Sequence, residues 1–167
     1  MSINFGSSSH INLGSAWELS AQTEETDVVD DGFVLRYGKQ FKITVLVLSI
    51  IATIGGIFVF FLIDKALGGL FLALGIAGCL VLPTVYSYRC FVNKTVMIEK
   101  YYIVFISIEK EILWEDVKYR KISNAEGDSH IKLYDENKKK LISFEGALVG
   151  YNQIFKLAKR SRIKDIE

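Results

Sequence analysis

The sequence predicts an α+β membrane protein: a two-helix transmembrane hairpin followed by a bent β-sheet or barrel that a C-terminal α-helix caps. Three observations carry this expectation. Two long uncharged runs lie close together in the first half of the chain. Beyond residue 88, β-branched and aromatic clusters alternate with charged, turn-prone segments. After Gly146 the apolar spacing changes from that of strands to that of a helix. Positive mean hydropathy (+0.28) combined with 23% charged residues follows naturally if the two properties occupy separate segments.

The leader, residues 1–31, is rich in Ser, Asn, Thr, Glu and Asp. Six acidic and three basic residues up to Lys42 give it a net charge of −3. Such a segment buries too little apolar surface to offset its ordering entropy, so it is expected to be disordered, with Trp17 and Leu19 as a weak docking spot or an incidental helical turn. In GFVLRYGKQF (residues 32–41), Phe33, Leu35 and Tyr37 alternate with Val34, Arg36 and Gly38. Residues 32–42 therefore read as a short strand or an interfacial segment leading into a membrane.

The first uncharged run covers residues 43–63 (21 positions) and the second residues 66–88 (23 positions). A bilayer core requires about 20 apolar residues per helix, so each run is long enough to span. Only Asp64 and Lys65 separate them, which demands a tight antiparallel hairpin within residues 43–88. Arg36, Lys39 and Lys42 precede the first span, and Arg89, Lys94 and Lys100 follow the second. That distribution places both termini in the cytoplasm, in a multi-pass protein of the inner or plasma membrane. Ser49, Thr53 and Gly56 on the first span, with Ala73 and Ala77 on the second, form a loose stripe of small residues for helix packing, within the hairpin or between copies. Neither run contains an ionisable residue, which argues against an ion pathway within one chain.

From Arg89 onward the chain carries 16 basic and 12 acidic side chains, and residues 89–163 read as a cytoplasmic domain, with residues 164–167 as a tail. TVMIE (95–99) and YYIVFIS (101–107) read as strands meeting near Glu99-Lys100, with Glu109-Lys110 as a charged turn before the next strand. HIKLYD (130–135) and KKLISFE (139–145) flank a connection containing Asn137. Residues 124–128 form a further turn in which Gly127 is free to take a positive φ. Leu148, Tyr151, Ile154, Phe155 and Ala158 follow helical spacing, opposite Asn152, Gln153, Lys156, Lys159 and Arg160. In EILWEDVKYRKI (111–122) the apolar phase slips at Trp114-Glu115-Asp116, so a bulge or tight turn is expected there.

These segments in this order resemble the bacterial pleckstrin-homology-like (PH-like) domains, and more narrowly the small membrane proteins that place such a domain after a two-helix hairpin. The resemblance spans residues 33–163. It rests on the aromatic β-hairpin, the strand ending in ILWEDV, the charged hairpin, and the terminal helix entered through EGALVGY. It implies a strongly bent sheet with one open end plugged by Tyr151, Ile154 and Phe155, and it carries no catalytic motif.

The chemistry-bearing residues do not converge in sequence. Glu115 and Asp116 are adjacent and face opposite ways on a strand. Cys79 and Cys90 would be about 16 Å apart along a helix, too far to bridge. His10 and His130 are isolated, so no metal or other cofactor is expected. Asn93-Lys94-Thr95 matches a glycosylation sequon that is inert on a cytoplasmic face. A net charge of +1 excludes a global nucleic-acid signature. Lys118, Arg120 and Lys121, with Lys138, Lys139 and Lys140, are candidate contacts for anionic lipid or a partner; the blander reading is a solvated turn and a charge-protected edge strand. The expectation is a non-enzymatic protein, integral to the bilayer, that presents its domain for protein binding or self-assembly. Anionic-lipid sensing and an accessory or immunity-type subunit of a membrane complex are the alternatives.

Overall fold

The computed structural model describes residues 13–29, 31–125, 128–160 and 163–166. In chain order the elements are α1 (Leu13–Thr23), β1 (Asp27–Val29), β2 (Gly32–Tyr37), α2 (Lys39–Leu62), α3 (Lys65–Ser87), β3 (Arg89–Val92), β4 (Val96–Ile103) and β5 (Ile106–Leu113). A single 3-10 turn (Trp114–Asp116) then leads to β6 (Tyr119–Ala125), β7 (Asp128–Tyr134), β8 (Lys140–Glu145), β9 (Leu148–Val149), α4 (Tyr151–Arg160) and β10 (Lys164–Asp165). The architecture is α+β, with two long apolar helices and open, mainly antiparallel sheets.

Over 18-residue windows α2 and α3 reach mean hydropathies of 2.8 and 2.2, and both are long and apolar enough to cross a membrane. The Asp64 carboxylate accepts the Leu67 N–H at 2.8 Å, capping α3 directly after α2 ends. The seam between the helices is built from Ser49 and Gly56 on α2 and from Gly68, Gly75 and Gly78 on α3. A Cβ at Gly56 would lie 2.5 Å from the Leu72 backbone nitrogen, and one at Gly75 would lie 2.6 Å from that of Thr53. The seven-residue spacing of Ser49 to Gly56 and of Gly68 to Gly75 keeps one face of each helix on its neighbour. Ala73 and Ala77, expected in this seam, are exposed instead, because the glycine positions occupy a different face of α3.

One sheet runs in the order β1-β2-β3-β4-β5, with β9 also on β2; the other runs β10-β6-β7-β8. β2 pairs antiparallel with β3 through Phe33↔Val92 and Leu35↔Cys90. The helical hairpin is therefore an insertion between two neighbouring strands of a single sheet. This corrects the expected boundary at residue 89: the domain begins before the hairpin, and residues 32–37 are an interior strand of it. Leu35, Cys90, Val92, Met97, Ile131, Leu133 and Phe144 are buried together between the sheets. Tyr151, Ile154 and Ala158 of α4 join this core, with Phe155 half-buried against it. Leu148 is buried in β9 rather than in the helix.

Four further expectations are corrected. The leader carries α1 and β1 over residues 13–29, because its acidic side chains find partners elsewhere in the fold; its first twelve residues lie outside the described set. Glu99-Lys100 is not a junction and Glu109-Lys110 is not a turn: both pairs lie within one long hairpin, in the register Glu99↔Lys110 and Lys100↔Glu109. The reversal falls at Val104-Phe105 instead. The expected tail is in part a strand, β10, parallel to β6. By contrast, the tight turn expected at Trp114–Asp116 is present as a 3-10 turn, where the Trp114 indole N–H donates to the Asn93 carbonyl at 2.8 Å and so covers the β3–β4 turn. Ala125 pairs with Asp128 across the turn expected there, while Gly127 lies outside the described residues.

The β2–β3 pairing generates a testable consequence. Replacing residues 38–87 by a short Asn-Gly-containing turn should yield a water-soluble domain with a cooperative thermal transition, in which Leu35→Ala costs about 2–5 kcal/mol. Residues 89–167 alone should show no such transition by circular dichroism; cooperative unfolding of that fragment would contradict the discontinuous domain.

Candidate functional site

The base of the helical hairpin is where aromatic and ionisable groups converge. Tyr37 ends β2, Phe41 lies in the first turn of α2, Tyr88 follows α3, and Tyr101 stands on β4. Their rings form a continuous column. Phe41 stacks on Tyr37 at 4.9 Å, Tyr37 meets Tyr88 at 5.3 Å, and Tyr88 meets Tyr101 at 6.2 Å. Trp17 of α1 closes the column edge-on against Phe41 at 5.1 Å. Each such pair contributes about 0.5–1.5 kcal/mol beyond its area burial. The column thus ties α1, both helices of the hairpin and the first sheet at one level.

The acidic leader straps this junction. One Glu24 oxygen accepts the Lys39 N–H at 2.5 Å, in the first turn of α2, and the other pairs with the Arg36 guanidinium at 2.8 Å. Asp27 holds the same guanidinium at 3.1 Å. Gly38 itself supplies no side-chain cap, so Glu24 satisfies one of the free amides at the start of α2 from a distant part of the chain. Glu18 reaches the second sheet, accepting from the Ser129 N–H at 2.8 Å and the Ser129 hydroxyl at 3.1 Å.

Two clefts open beside the column. The first, of about 340 Å³, lies among Trp17, Phe41, His130, Lys132, Ser143 and Glu145. The second, of about 270 Å³, is bounded by Tyr37, Thr84, Tyr88, Glu99, Tyr101 and Glu145. Burial pushes the Glu99 carboxyl above its ordinary range, while the Tyr88 hydroxyl and Lys110 pull it part of the way back. The Tyr88 hydroxyl is buried and approaches Glu99 without reaching hydrogen-bond geometry. Burial also raises the Tyr37 hydroxyl, with Glu145 and Glu99 adding to the effect. A third, more apolar groove of about 420 Å³ lies at the other end of β2 and β3, among Val28, Phe33, Val92, Lys156 and Leu157. Beside it β1 is, among the described residues, the edge strand of its sheet, with Val28 73% exposed and Val29 44% exposed. Among the described residues, no group of three or more His, Cys, Asp or Glu side chains could hold a metal ion. Cys79 and Cys90 are both free thiols.

The six basic candidates do not form one site. Arg120 is committed to the fold: it pairs with Asp165 at 2.7 Å and donates to the Ala158 carbonyl at the end of α4. Lys118 donates to the Glu115 carbonyl at 2.7 Å. Lys121 is exposed on β6, opposite Lys132. Lys138, with φ of 58°, and exposed Lys139 and Lys140 shape the β7–β8 connection, where the Asp135 carboxylate accepts the Lys139 N–H at 2.8 Å. The residues at the junction that sequence reasoning missed are Glu18, Glu24, Glu99 and Lys132. The alternation in GFVLRYGKQF was the available signal for the strand that sets them in place; nothing local marked the acidic residues as strap contacts.

The raised Glu99 carboxyl has a defined pH signature. The folded state holds this proton more tightly than the unfolded chain does, so the stability it contributes falls as pH rises from the ordinary carboxylate value through the raised one. Glu99→Gln in the full chain should therefore raise the thermal midpoint at pH 7 and change it little near pH 4, by differential scanning calorimetry. An equal shift at both pH values would contradict this account. Compared with protein-family models, curated proteins and solved structures, the chain has no significant match.

Proposed function

We propose that this chain is a non-enzymatic, two-span membrane protein that holds a protein-binding β module rigidly at the bilayer surface. The observation that carries the reading is the placement of the module's open end. β2 and β3 enter and leave the helices at Tyr37 and Arg89, and the apolar groove and open β1 edge lie at the opposite end of the same strands. A partner strand or a second copy pairing along β1 would bury Val28 and Val29 and satisfy a backbone edge that is unpaired among the described residues. The basic flanks Arg36, Lys39, Lys42, Arg89, Lys94 and Lys100 favour the module and both chain ends on the cytoplasmic side. Two sheets packed over one core, with α4 against it, support a PH-like module as the fold reading.

Anionic-lipid contact is the second reading. It is favoured by Lys132, which lines the cleft beside Phe41 at the base of the helices, rather than by the Lys138–Lys140 turn.

Photo-crosslinking in native membranes separates the two. A benzoylphenylalanine at Val28 should give a discrete adduct, to another protein or to a second copy, and Leu157→Arg should reduce its yield several-fold. No adduct at Val28, together with lipid adducts from the same probe at Lys132, would overturn the protein-binding reading in favour of the second.

A further inference from the structure

The β4–β5 hairpin ends in a cluster that the junction does not use. Tyr102, Ile103, Val104, Phe105 and Ile106 are all exposed, Phe105 at 94% and Ile106 at 68%. The chain reverses in two residues, Val104 and Phe105, between the paired Ile103 and Ile106. Two-residue hairpin loops favour Asn-Gly or similar pairs, because they place residues at positive φ. Here the β-branched Val104 occupies φ of 55°, a conformation that such residues rarely adopt. An apolar pair therefore stands at this tip despite poor turn chemistry.

The tip has a fixed place relative to the helices. The Thr84 hydroxyl donates to the Tyr102 carbonyl at 2.7 Å, and the Tyr102 N–H donates to the Ser87 hydroxyl at 2.8 Å. β4 thus runs alongside the last turn of α3 and in the opposite direction. Three further residues at about 3.3 Å each carry the tip past Thr84, toward the middle of α3. The charge boundary follows the same line. Arg89, which begins β3 where the uncharged run ends, is the register partner of Lys100, and Lys100 pairs with Glu109 at 2.9 Å. Beyond that row, residues 101–108 carry no charge, and the exposed tip continues the apolar surface of the helices.

We propose that the β4–β5 hairpin inserts its tip, Tyr102 to Ile106, among the lipid acyl chains of the leaflet on the module's side. The tip acts there as a third, non-spanning anchor that sets the tilt of the module. This inference rests on the reading of α2 and α3 as spanning helices. The occupant of the patch is the bilayer hydrocarbon, because the apolar tip and the exposed face of α3 form one surface on the same side of one charged row.

Spin-label depth measurements on the full chain in phosphatidylcholine–phosphatidylglycerol vesicles test the proposal. Nitroxides are placed by Phe105→Cys, Leu74→Cys and Lys138→Cys in a Cys79→Ser, Cys90→Ala background. The expected result is that the label at 105 resembles the label at 74, with high oxygen collision and loss of collision with a water-soluble nickel chelate, while 138 shows the reverse. If 74 is lipid-exposed and 105 resembles 138, the insertion is overturned and the spanning helices stand. Should 74 also resemble 138, the spanning reading fails and takes the insertion with it. A label at 105 shielded from both reagents would place protein over the tip and overturn the proposal.

Discussion

Antiparallel pairing of β2 with β3 is the constraint on which the rest of the molecule depends. The register Leu35↔Cys90 brings together residues separated by the entire helical hairpin. A flexible loop of that length would make the closure entropically costly. Here the intervening chain is two helices packed on a glycine seam, so its ends return close together by construction. In turn, the paired strands hold the bases of α2 and α3 side by side. Hairpin and sheet thus stabilise one another, and no linker separates them.

The junction is reinforced by interactions of different kinds. The ring column from Trp17 to Tyr101 fills the level between helices and sheet. Glu24 and Asp27 neutralise Arg36, and Glu24 also caps α2. Glu18 extends the strap to the second sheet at Ser129. These contacts surround a half-buried carboxyl at Glu99, whose ionised form is disfavoured by its burial. An arrangement of this type couples the base of both helices to the two sheets through rings and ion pairs together.

The parts of the fold legible in the sequence are those encoded locally. Two uncharged runs of sufficient length, divided by Asp64-Lys65, define the helical hairpin, because length and apolarity are the physical requirements for such helices. The strand alternation of β7 and β8 and the 3.6-residue spacing of Tyr151, Ile154 and Ala158 were likewise readable. What could not be read depends on distant partners. The leader looks like a solvated acidic tract until Arg36, the Lys39 N–H and Ser129 are placed around it. Strand β2 is recognisable by alternation, yet nothing local says that its neighbour lies beyond the hairpin. The reversal at Val104-Phe105 carries no turn signal, so Glu99-Lys100 reads as a strand junction and Glu109-Lys110 as a turn. Among the basic residues, Arg120 belongs to the fold through Asp165, a contact no sequence spacing reveals.

The central claim is that helices and β module form one rigid body. Electron–electron double resonance between labels at Lys65→Cys, in the helical turn, and Lys94→Cys, at the far end of β3, tests it directly in lipid nanodiscs. A single narrow distance distribution is the result this account predicts. A broad or multimodal distribution would show a hinge at Gly38 or Tyr88 and would contradict it.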